Sequence, residues 1–542
     1  MGKDFIFLHP PSLIDFREKP WFPGPIARTV RSTPVFTAFP IGLISIADFL
    51  DRIGYDVKIV NVGERMLLNP KFNLEGYLEE VDAKIFGIDL HWCVHVQGAL
   101  ELARICKKVH PDSFLVLGGL TATCFNEEII QKFPYVDAVV RGESEEALAK
   151  LKQGVEKCEL DDVPNITYRN RYGKVKVNAV VAPPESLDNY EFTRTDLIEP
   201  PTQTHHAQMG SKRLKVWQLP ICRGCLFNCV TCGGSAYSYK KLFSRTQPAF
   251  RSSEKILEDF QRLDEQGFNS VFLFQDVRMG GDDYWKNMFK ILSAQRWSKI
   301  EHVTLELFKP PNLEFIKTLH RFKPADKVAL TMSPESGVDH VRQAHGRDYT
   351  NESIIETAKS CLKLDLPITF FFMGVLAHET METVKLTWKL WDRIFSFKSD
   401  WIDIEYGPMV ILDPGSIAFY NPDKVGYRMR SRTLFSHYQA AEKPIWVDWI
   451  NYETEHFDVN EVSNLILDSI ERLVTLKGKY GKLSERVTEL ELKNVALNRL
   501  LIQDVKKIQE IEDLVEREKC LKELKEVEKD PVLTETYILT HE

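Results

Sequence analysis

Apolar and polar residues are arranged in two different spacings along the first third of the chain. Short apolar runs, namely FIFLHPP, YDVKIVNV, AKIFGIDLHW, SFLVLGGL and VDAVVRGE, are typical of buried strands. Between them, GLISIADFLDRI and VQGALELARICKKVH repeat apolar residues at three- and four-residue steps, which is the spacing of an amphipathic helix. Strands that alternate with helices through short connections predict a parallel, doubly wound, Rossmann-like sheet over residues 1–175.

Strand and helix patterns alternate a second time over residues 216–455. The predicted strands are KVWQLPIC, SVFLFQD, HVTLELF, KVALTMSPE, ITFFFMGVL and WIDIEYGPMVIL. Such a series predicts a partial (β/α)6 barrel, whose functional site lies at the carboxyl ends of its strands. The polar, proline-rich stretch 176–215 is the predicted linker between the two units. The fold class is therefore α/β.

Residues 456–542 have a helical pattern. Apolar residues in this region recur at three- and four-residue steps with charged residues between them: Leu473, Leu476, Tyr480, Leu483, Val487 and Leu490. Helices that pack on the barrel or on each other explain this seam, and a dimerising coiled coil is the alternative. The third predicted unit is thus a C-terminal helical region.

Composition and charge narrow the class of protein. Of 542 residues, 44% are hydrophobic, and the formal net charge of -8 gives no reason to expect nucleic acid as a partner. No run of about 18 apolar residues predicts a membrane span, and the N-terminal MGKDFIFLHPP lacks the features of a signal peptide. Ten cysteines in a chain of this length do not suggest a disulfide framework. A cytoplasmic location is expected.

Four cysteines fall within the stretch ICRGCLFNCVTCGGS: Cys222, Cys225, Cys229 and Cys232. A structural zinc site needs four ligands, commonly from two separate CxxC pairs, and no second pair follows downstream. The last three cysteines instead supply three thiolates at the end of the first predicted barrel strand. Three thiolates on a four-iron cluster leave one iron open to a substrate or cofactor.

This CxxxCxxC stretch resembles the radical S-adenosylmethionine (SAM) superfamily. The resemblance implies a 4Fe–4S cluster held by Cys225, Cys229 and Cys232, whose open iron binds SAM and cleaves it to a 5′-deoxyadenosyl radical. Cys222 is expected to be a neighbour, because a fourth thiolate would close that iron to SAM. Thr231 departs from the aromatic residue that the family often carries there. The resemblance also implies SAM contacts from the ends of later barrel strands, at Gln275, Asp276, Glu306, Ser333, Glu335, Ser336, Arg347, Met373 and Gly374.

The first predicted sheet has no GxGxxG motif followed by an acidic residue, so a dinucleotide is not expected. Its strand ends, with LGGLTAT and VVRGESEE, resemble the cobalamin-binding domain in front of many radical SAM enzymes. The resemblance implies cobalamin contacts from His9, Pro10, Pro11, Asn61, Asp89, Leu90, His91, Trp92, Gly118, Gly119, Thr121, Arg141, Gly142 and Glu143.

The stretch from Asp89 to Val94 begins like the DxHxxG motif that supplies a cobalt ligand, but it lacks the glycine and follows a later strand. We therefore do not expect His91 to bind cobalt. Trp92 or His91 is expected to face the lower side of the cobalt and to exclude water there. A buried structural tryptophan is the alternative.

A cluster, SAM and cobalamin in one chain imply a cobalamin-binding radical SAM enzyme that resembles the class B methyltransferases. In that family a methyl group passes from SAM through cobalamin to an unactivated carbon. The expected substrate is a protein or peptide residue, for example a glutamine or arginine in methyl-coenzyme M reductase. The expected partner is an electron donor of ferredoxin or flavodoxin type, in an anaerobic setting. Candidate residues on the substrate side are Tyr406, Tyr452 and Glu453.

Two alternatives to methyl transfer stay open at this point. One is a radical SAM and cobalamin enzyme that forms a ring or oxidises a lipid or tetrapyrrole. The other is a non-enzymatic cobalamin or redox sensor, which would produce no 5′-deoxyadenosine.

Single replacements of the four clustered cysteines test the ligand assignment. Cys222→Ser is expected to leave the iron content unchanged, whereas Cys225→Ser, Cys229→Ser or Cys232→Ser is expected to abolish SAM cleavage. Iron and sulfide are counted after anaerobic reconstitution. Loss of about a quarter or more of the iron from the Cys222 variant would reject the assignment, since that is one iron's share of a four-iron cluster.

Overall fold

The computed structural model describes residues 2–26, 40–199, 206–209, 212–322 and 327–529. The strands of its first sheet are β1 Lys3–His9, β2 Val57–Asn61, β3 Ala83–Asp89, β4 Phe114–Gly118, β5 Ala138–Val140, β6 Ile166–Arg169, β7 Val175–Val177 and β8 Ile198–Glu199. They are ordered β7–β6–β5–β4–β3–β1–β2–β8. The pairings from β5 to β8 across the sheet are parallel, and β6 and β7 add an antiparallel edge.

The order 2-1-3-4-5 of the first five strands is the flavodoxin-like form of a doubly wound sheet. In this arrangement a ligand crevice lies where the order reverses, between the carboxyl ends of β1 and β3. The helices of this half are α1 Gly42–Arg52, α2 Val62–Leu68, α3 Leu74–Glu80, α4 Val96–Val109, α5 Leu120–Cys124, α6 Asn126–Lys132 and α7 Glu145–Lys157. The predicted Rossmann-like unit is confirmed.

The second half of the chain contains the predicted partial barrel. Its strands are β9 His206–Met209, β10 Lys212–Pro220, β11 Cys222–Arg223, β12 Ala249–Phe250, β13 Ser270–Phe274, β14 His302–Leu307, β15 Lys327–Glu335, β16 Ile368–Gly374, β17 Ile402–Pro408, β18 Tyr427–Met429 and β19 Tyr452–Thr454. The barrel sheet is ordered β17–β16–β15–β14–β13–β10–β9, and all pairings except β9 with β10 are parallel. The predicted (β/α)6 arrangement is therefore confirmed.

The helices of the second half are α8 Ala236–Phe243, α9 Ser253–Glu265, α10 Asp282–Ser293, α11 Leu313–Arg321, α12 Asp339–Ala344, α13 Asn351–Lys363, α14 Met381–Phe395, α15 Ile417–Tyr420, α16 Leu434–Ala441, α17 Val459–Lys479, α18 Glu485–Gln509 and α19 Leu514–Lys529. The last three form the predicted helical region. Within the described ranges, none of the helices is long and apolar enough to cross a membrane.

The C-terminal apolar seam is divided between two helices. Leu476 on α17 is only 1% exposed and belongs to the barrel core, and α17 packs on α14 and on β17. Beyond the turn that follows Tyr480, Leu490 on α18 is 52% exposed. The first half of the seam therefore packs on the barrel, which favours the packing interpretation over one continuous coiled coil.

The described part of the predicted linker is packed against both sheets. Its β7 and β8 extend opposite edges of the first sheet. The carbonyl groups of Leu187 and Tyr190 accept hydrogen bonds from Nη1 of the buried Arg251, at 3.1 and 2.6 Å. Apolar and aromatic residues of this proline-rich stretch thus have buried contacts, although the average composition of the stretch is polar.

Each of the two hydrophobic cores contains side chains from both halves of the chain. One core joins Phe5 and Phe7 on β1 to Trp217 on β10. The other joins Leu117 on β4 to Val230 in the cysteine loop. Burial of apolar surface is the main favourable term in folding, so these shared cores fix the two halves relative to each other.

Gly98 on α4 is expected to be intolerant of a side chain. A Cβ atom there would lie 1.8 Å from the carbonyl oxygen of Pro11, so the segment after β1 would have to move. We expect Gly98→Ala to lower the free energy of unfolding by about 1–3 kcal/mol, the usual cost of overpacking. The matched control is Gly42→Ala, because nothing lies within 4 Å of a Cβ at that helical position. Urea unfolding measures both, and an unchanged midpoint for Gly98→Ala would contradict the expectation.

Candidate active site

A cavity of about 650 Å³ lies between the carboxyl ends of the two sheets. Its walls come from the ends of β3, β4 and β5 on one side and from the ends of β10, β13 and β14 on the other. Seven aromatic side chains line it: Phe7, Trp92, Phe192, Tyr239, Phe243, Phe272 and Phe274. Both edges at which α/β folds place ligands therefore open into one shared space.

The wall from the first sheet presents little side-chain bulk. A Cβ atom at Gly118 would meet nothing closer than 3.8 Å, whereas one at Gly119 would lie 2.8 Å from the backbone of His91. Gly119 also has a φ of +109°, which favours glycine. Trp92 borders the same wall and is 36% exposed. This open glycine surface fits a large, flat cofactor such as cobalamin.

His9 and Asp89 meet at the point where the strand order reverses. Nδ1 of His9 lies 2.8 Å from Oδ1 of Asp89, and both side chains are buried. Asp89 borders the cavity, and its Oδ2 has no hydrogen-bond partner among the residues that the structure describes. The pair therefore places a buried carboxylate at the edge of the cavity.

The predicted cobalamin residues divide into two sets. Those that line the cavity are Asp89, His91, Trp92, Gly118, Gly119, Gly142 and Glu143. Those that are not among its lining residues are His9, Pro10, Pro11, Asn61, Leu90, Thr121 and Arg141.

Several residues of the second set have contacts within the protein. Oδ1 of Asn61 accepts a hydrogen bond from the backbone N–H of Glu64 at 3.0 Å and caps α2. The Thr121 hydroxyl donates to the carbonyl oxygen of His91 at 2.9 Å. Arg141 donates to the carbonyl oxygen of Asn178. These contacts hold the segments that lie behind the cavity-lining residues of the first sheet. The cofactor-binding roles assigned to individual residues stay predictions.

The cysteine loop follows β11 and begins the barrel side of the site. Cys225, Cys229 and Cys232 are free thiols, and Cys232 lines the cavity. Sγ of Cys225 accepts the backbone N–H of Phe227, and Sγ of Cys232 accepts that of Gly234, both at 3.3 Å. Hydrogen bonds to sulfur tune iron–sulfur clusters, so the donor set fits such a cluster chemically.

The three thiols are not drawn together in advance. Within the described ranges, no group of three or more histidine, cysteine, aspartate or glutamate side chains has the geometry of a metal site. Burial raises the pKa of Cys229 to about 11, so this thiol keeps its proton until a metal displaces it. Assembly of the cluster would therefore release protons.

Cys222 has a different environment from the other three cysteines. It is buried, and its Sγ donates to Oε1 of Gln275 at 2.9 Å. The backbone N–H of Gln275 in turn donates to Oε2 of Glu306 at 2.8 Å. Gln275 and Glu306 both line the cavity. These contacts support the expectation that Cys222 is a neighbour of the cluster and not a ligand.

Two of the predicted SAM-contacting residues, Glu335 at the end of β15 and Arg347 in the segment that follows it, contact each other. Nε of Arg347 donates to Oε1 of Glu335 at 2.7 Å, and Nη1 donates to the carbonyl oxygen of Phe308 at 3.3 Å. Oε2 of Glu335 is buried and has no hydrogen-bond partner in the described part of the chain. Arg347 is therefore already paired with one carboxylate, that of Glu335. Ser333 lies two residues before Glu335 on the same strand.

Ser336 is held by a residue that sequence reasoning missed. Its hydroxyl donates to Oε1 of Glu379 at 2.9 Å, and Oε2 of Glu379 accepts the backbone N–H of Leu376 at 2.9 Å. Burial raises the pKa of Glu379 to about 7. Glu379 follows the fifth barrel strand by five residues, so only the fold brings it to Ser336.

Other predicted barrel residues serve the protein's own packing. Asp276 is buried and accepts Nε of Arg278 at 2.8 Å and the backbone N–H of Phe308 at 2.9 Å. Met373 and Gly374 end β16, and a Cβ atom at Gly374 would lie 1.6 Å from the hydroxyl oxygen of Tyr406 on β17. The Tyr406 side chain therefore occupies the space that any side chain at position 374 would need.

The remaining substrate-side candidates lie on β19. The Tyr452 hydroxyl contacts the carbonyl oxygens of Val375 and Met409, at 3.1 and 2.9 Å, and the residue is fully buried. Oε1 of Glu453 accepts the backbone N–H of Val459 at 3.2 Å, at the start of α17. Neither residue is among those that line the cavity.

Sequence reasoning also missed several residues that line the cavity. Asp413 follows the last barrel strand in the motif LDPGS, and its Oδ2 accepts the backbone N–H of Gly233 at 2.9 Å. Its place just beyond a barrel strand is a signal that could have found it. Arg223 and Glu145 also line the cavity, and only their tertiary contact marks them as a pair.

Glu379 makes the stability of the protein depend on pH. Its pKa is raised from 4.5 to about 7 by folding, so the folded chain keeps a proton that the unfolded chain has released. This contribution is complete below about pH 4.5 and is lost as the pH rises through about 7. We expect wild type to lose about 2–3 kcal/mol of unfolding free energy relative to Glu379→Gln between about pH 5 and about pH 8.

The matched control for this comparison is Glu382→Gln, an exposed change at the start of the neighbouring helix α14. Urea unfolding at several pH values gives the three curves. Parallel curves for wild type and Glu379→Gln would contradict the expected titration.

Comparisons with known protein families agree with a site formed by the ends of two different sheets. Residues 27–152 match the B12 binding domain family, and residues 219–390 match the Radical SAM superfamily. The chain is 22% identical over 453 residues to the uncharacterized methyltransferase PH0819 of Pyrococcus horikoshii, covering 82% of this chain and 89% of that protein.

Two solved structures have the same overall fold. One is the radical S-adenosylmethionine methyltransferase TsrM from Kitasatospora setae with cobalamin and a 4Fe–4S cluster bound, at a TM-score of 0.56 and 13% identity over 80% of this chain and 81% of that one. The other is the cobalamin-dependent S-adenosylmethionine radical enzyme OxsB with aqua-cobalamin and S-adenosylmethionine bound, at a TM-score of 0.57 and 12% identity over 100% of this chain and 80% of that one. With both family matches in one chain, the chain belongs to the B12-binding radical SAM enzymes, whose cofactors are a 4Fe–4S cluster, SAM and cobalamin, and it resembles the class B methyltransferases among them.

Proposed function

We propose that this enzyme transfers a methyl group from SAM, by way of cobalamin, to a carbon that no neighbouring group activates. One observation carries the proposal. The glycine wall of the first sheet and the Cys232 wall of the barrel border the same cavity of about 650 Å³. A methyl donor on one wall and a hydrogen-abstracting radical from the other can thus reach one substrate carbon.

The cofactors supply the methyl group and the radical, and the protein supplies position and shelter. Reactions of this kind depend on placing two reacting centres in line, which is the largest contribution that a rigid cavity makes. The aromatic and aliphatic lining excludes water from a reactive radical. The two shared hydrophobic cores hold the two halves of the chain together.

On the cobalamin wall, we propose that Trp92 or His91 faces the lower side of the cobalt without binding it. Both residues border the cavity, and their rings meet edge to face with centroids 4.9 Å apart. Burial lowers the pKa of His91, which keeps the imidazole neutral. A neutral aromatic pair there would exclude water from the metal.

For the methyl acceptor, we propose a residue of a protein or peptide, such as a glutamine or arginine in a protein like methyl-coenzyme M reductase. Three acidic side chains of the cavity support a substrate with N–H groups: Asp89, Glu306 and Asp413. Carboxylates accept hydrogen bonds from amide and guanidinium groups, and the latter bind them in two-pronged fashion. We also propose a ferredoxin or flavodoxin type of electron donor and a cytoplasmic location.

Anaerobic reconstitution tests the proposed reaction. The protein is loaded with iron, sulfide and hydroxocobalamin, reduced, and given SAM that carries a deuterated methyl group together with glutamine- and arginine-containing peptides. We expect about four irons and one cobalamin per chain, and both 5′-deoxyadenosine and S-adenosylhomocysteine as products. Cys229→Ser should give neither product, while the exposed Cys158→Ser should behave like wild type.

The product pattern separates the alternatives. 5′-Deoxyadenosine without S-adenosylhomocysteine would favour a ring-forming or oxidising enzyme. Both products with no label on any peptide would keep methyl transfer and reject the peptide acceptors. Zinc in place of iron, with neither product, would overturn the proposed function.

A further inference from the structure

A buried group of charged and hydrogen-bonding side chains joins the first sheet to the cysteine loop. We call it the Arg223 cluster, and its members are Ser45, Glu143, Glu145, Arg223 and Arg245. Arg223 lies two residues before Cys225, the first predicted ligand of the iron–sulfur cluster. Glu143 and Glu145 lie just beyond β5, at the cofactor edge of the first sheet.

The contacts of Arg223 reach across the boundary between the two halves. Nη2 donates to Oε1 of Glu145 at 2.7 Å and to the Ser45 hydroxyl at 3.1 Å. Nη1 donates to Oε2 of Glu143 at 2.9 Å and to Oε2 of Glu145 at 3.3 Å. This guanidinium therefore uses its rigid planar fork on two carboxylates at once, a geometry that a lysine cannot reproduce.

Arg245 completes the cluster from the other side. Its Nε donates to Oε1 of Glu143 at 2.6 Å, and its Nη2 donates to the carbonyl oxygen of Pro184 at 2.9 Å. Two arginines thus face two glutamates, so the buried charges balance. Glu145 is only 3% exposed, which leaves these ion pairs little screened by solvent.

The Arg223 cluster also forms part of the cavity. Arg223, Glu143 and Glu145 all line it, next to Gly142 on the cobalamin side and Cys222 on the barrel side. The Arg223 cluster therefore connects the cavity-facing end of the first sheet to the cysteine loop of the barrel. Hydrophobic packing is non-directional, whereas a forked ion pair sets both distance and angle.

We propose that Arg223 is a positioning residue that sets the separation between the cobalamin wall and the iron–sulfur wall of the cavity. The assignment goes beyond the proposed reaction and rests on it only for the identity of the two cofactors. Arg223 acts through Glu143 and Glu145 and does not itself take part in the chemistry.

The test uses a charge-balanced double variant, Arg223→Gln with Glu145→Gln. It removes one cation and one anion and leaves Arg245 paired with Glu143, so no unpaired charge is buried. The matched control is Arg194→Gln. Arg194 also contacts several carboxylates, among them Asp48 and Asp51 of α1, but it is not one of the cavity residues.

Two readouts follow the separation of the walls on the full chain. The first is hydrogen–deuterium exchange of segments 142–148 and 222–235, measured without any cofactor. The second is the magnetic interaction between cob(II)alamin and the reduced cluster in the reconstituted protein, measured by electron paramagnetic resonance. A residue that only adds stability would lower the unfolding temperature without changing the second readout.

We expect the double variant to exchange at least about tenfold faster in both segments, while Arg194→Gln leaves them unchanged. We also expect a broader distribution of cobalt–cluster separations in the double variant than in wild type. Exchange and separation equal to those of wild type would overturn the proposal. Failure of the proposed function would be recognised separately, since wild type would then yield neither 5′-deoxyadenosine nor S-adenosylhomocysteine while the exchange result still stands.

Discussion

The structure depends on one constraint, which is that two parallel sheets must present their carboxyl ends to the same cavity. Each sheet alone places its ligand site at that edge. Facing edges carry polar loop residues, so bringing them together removes charged groups from water. The Arg223 cluster meets this requirement by pairing two arginines with two glutamates across the boundary. The hydrophobic cores on either side then close around a gap wide enough for cofactors and substrate.

Buried acids around the cavity are satisfied in two different ways. An arginine guanidinium lies against Glu143 and another against Glu145, so each buried carboxylate has a cation beside it. Removal of one partner from such a buried pair typically costs about 3–5 kcal/mol, because it leaves the other charge uncompensated. Within the described residues Glu379 has no ion-pair partner, and burial instead raises its pKa to about 7. Charged groups thus hold the interface, and a carboxyl that takes up a proton close to neutral pH supports the Ser336 loop.

The candidate site shows where reasoning from strand ends works and where it stops. A polar residue just beyond a strand is found from its position alone, and Asp89, Gly118, Gln275 and Glu306 do border the cavity. The direction of a side chain is not found this way. Asp276 follows Gln275 directly, yet it points to Arg278 and to the Phe308 backbone. Tyr452 resembles a reactive residue in sequence and is in fact bound to two backbone carbonyl groups.

Local periodicity determined the α/β class and the two successive units, because this signal arises between residues close in the chain. The three cofactors were implied by the resemblance of short stretches, the cysteine loop and the strand ends of the first sheet, to a known family. The two strand series, α1 and α4 all lie where the apolar pattern predicts them. Only the tertiary structure decided that the two carboxyl edges face each other. Contacts such as Arg223 with Glu145 join residues 78 positions apart, and no local pattern records which surfaces meet. The shared cavity, the buried partner of Ser336 and the packing of the predicted linker all follow from that long-range choice, because the lowest free energy is set by apolar burial and charge pairing summed over both halves.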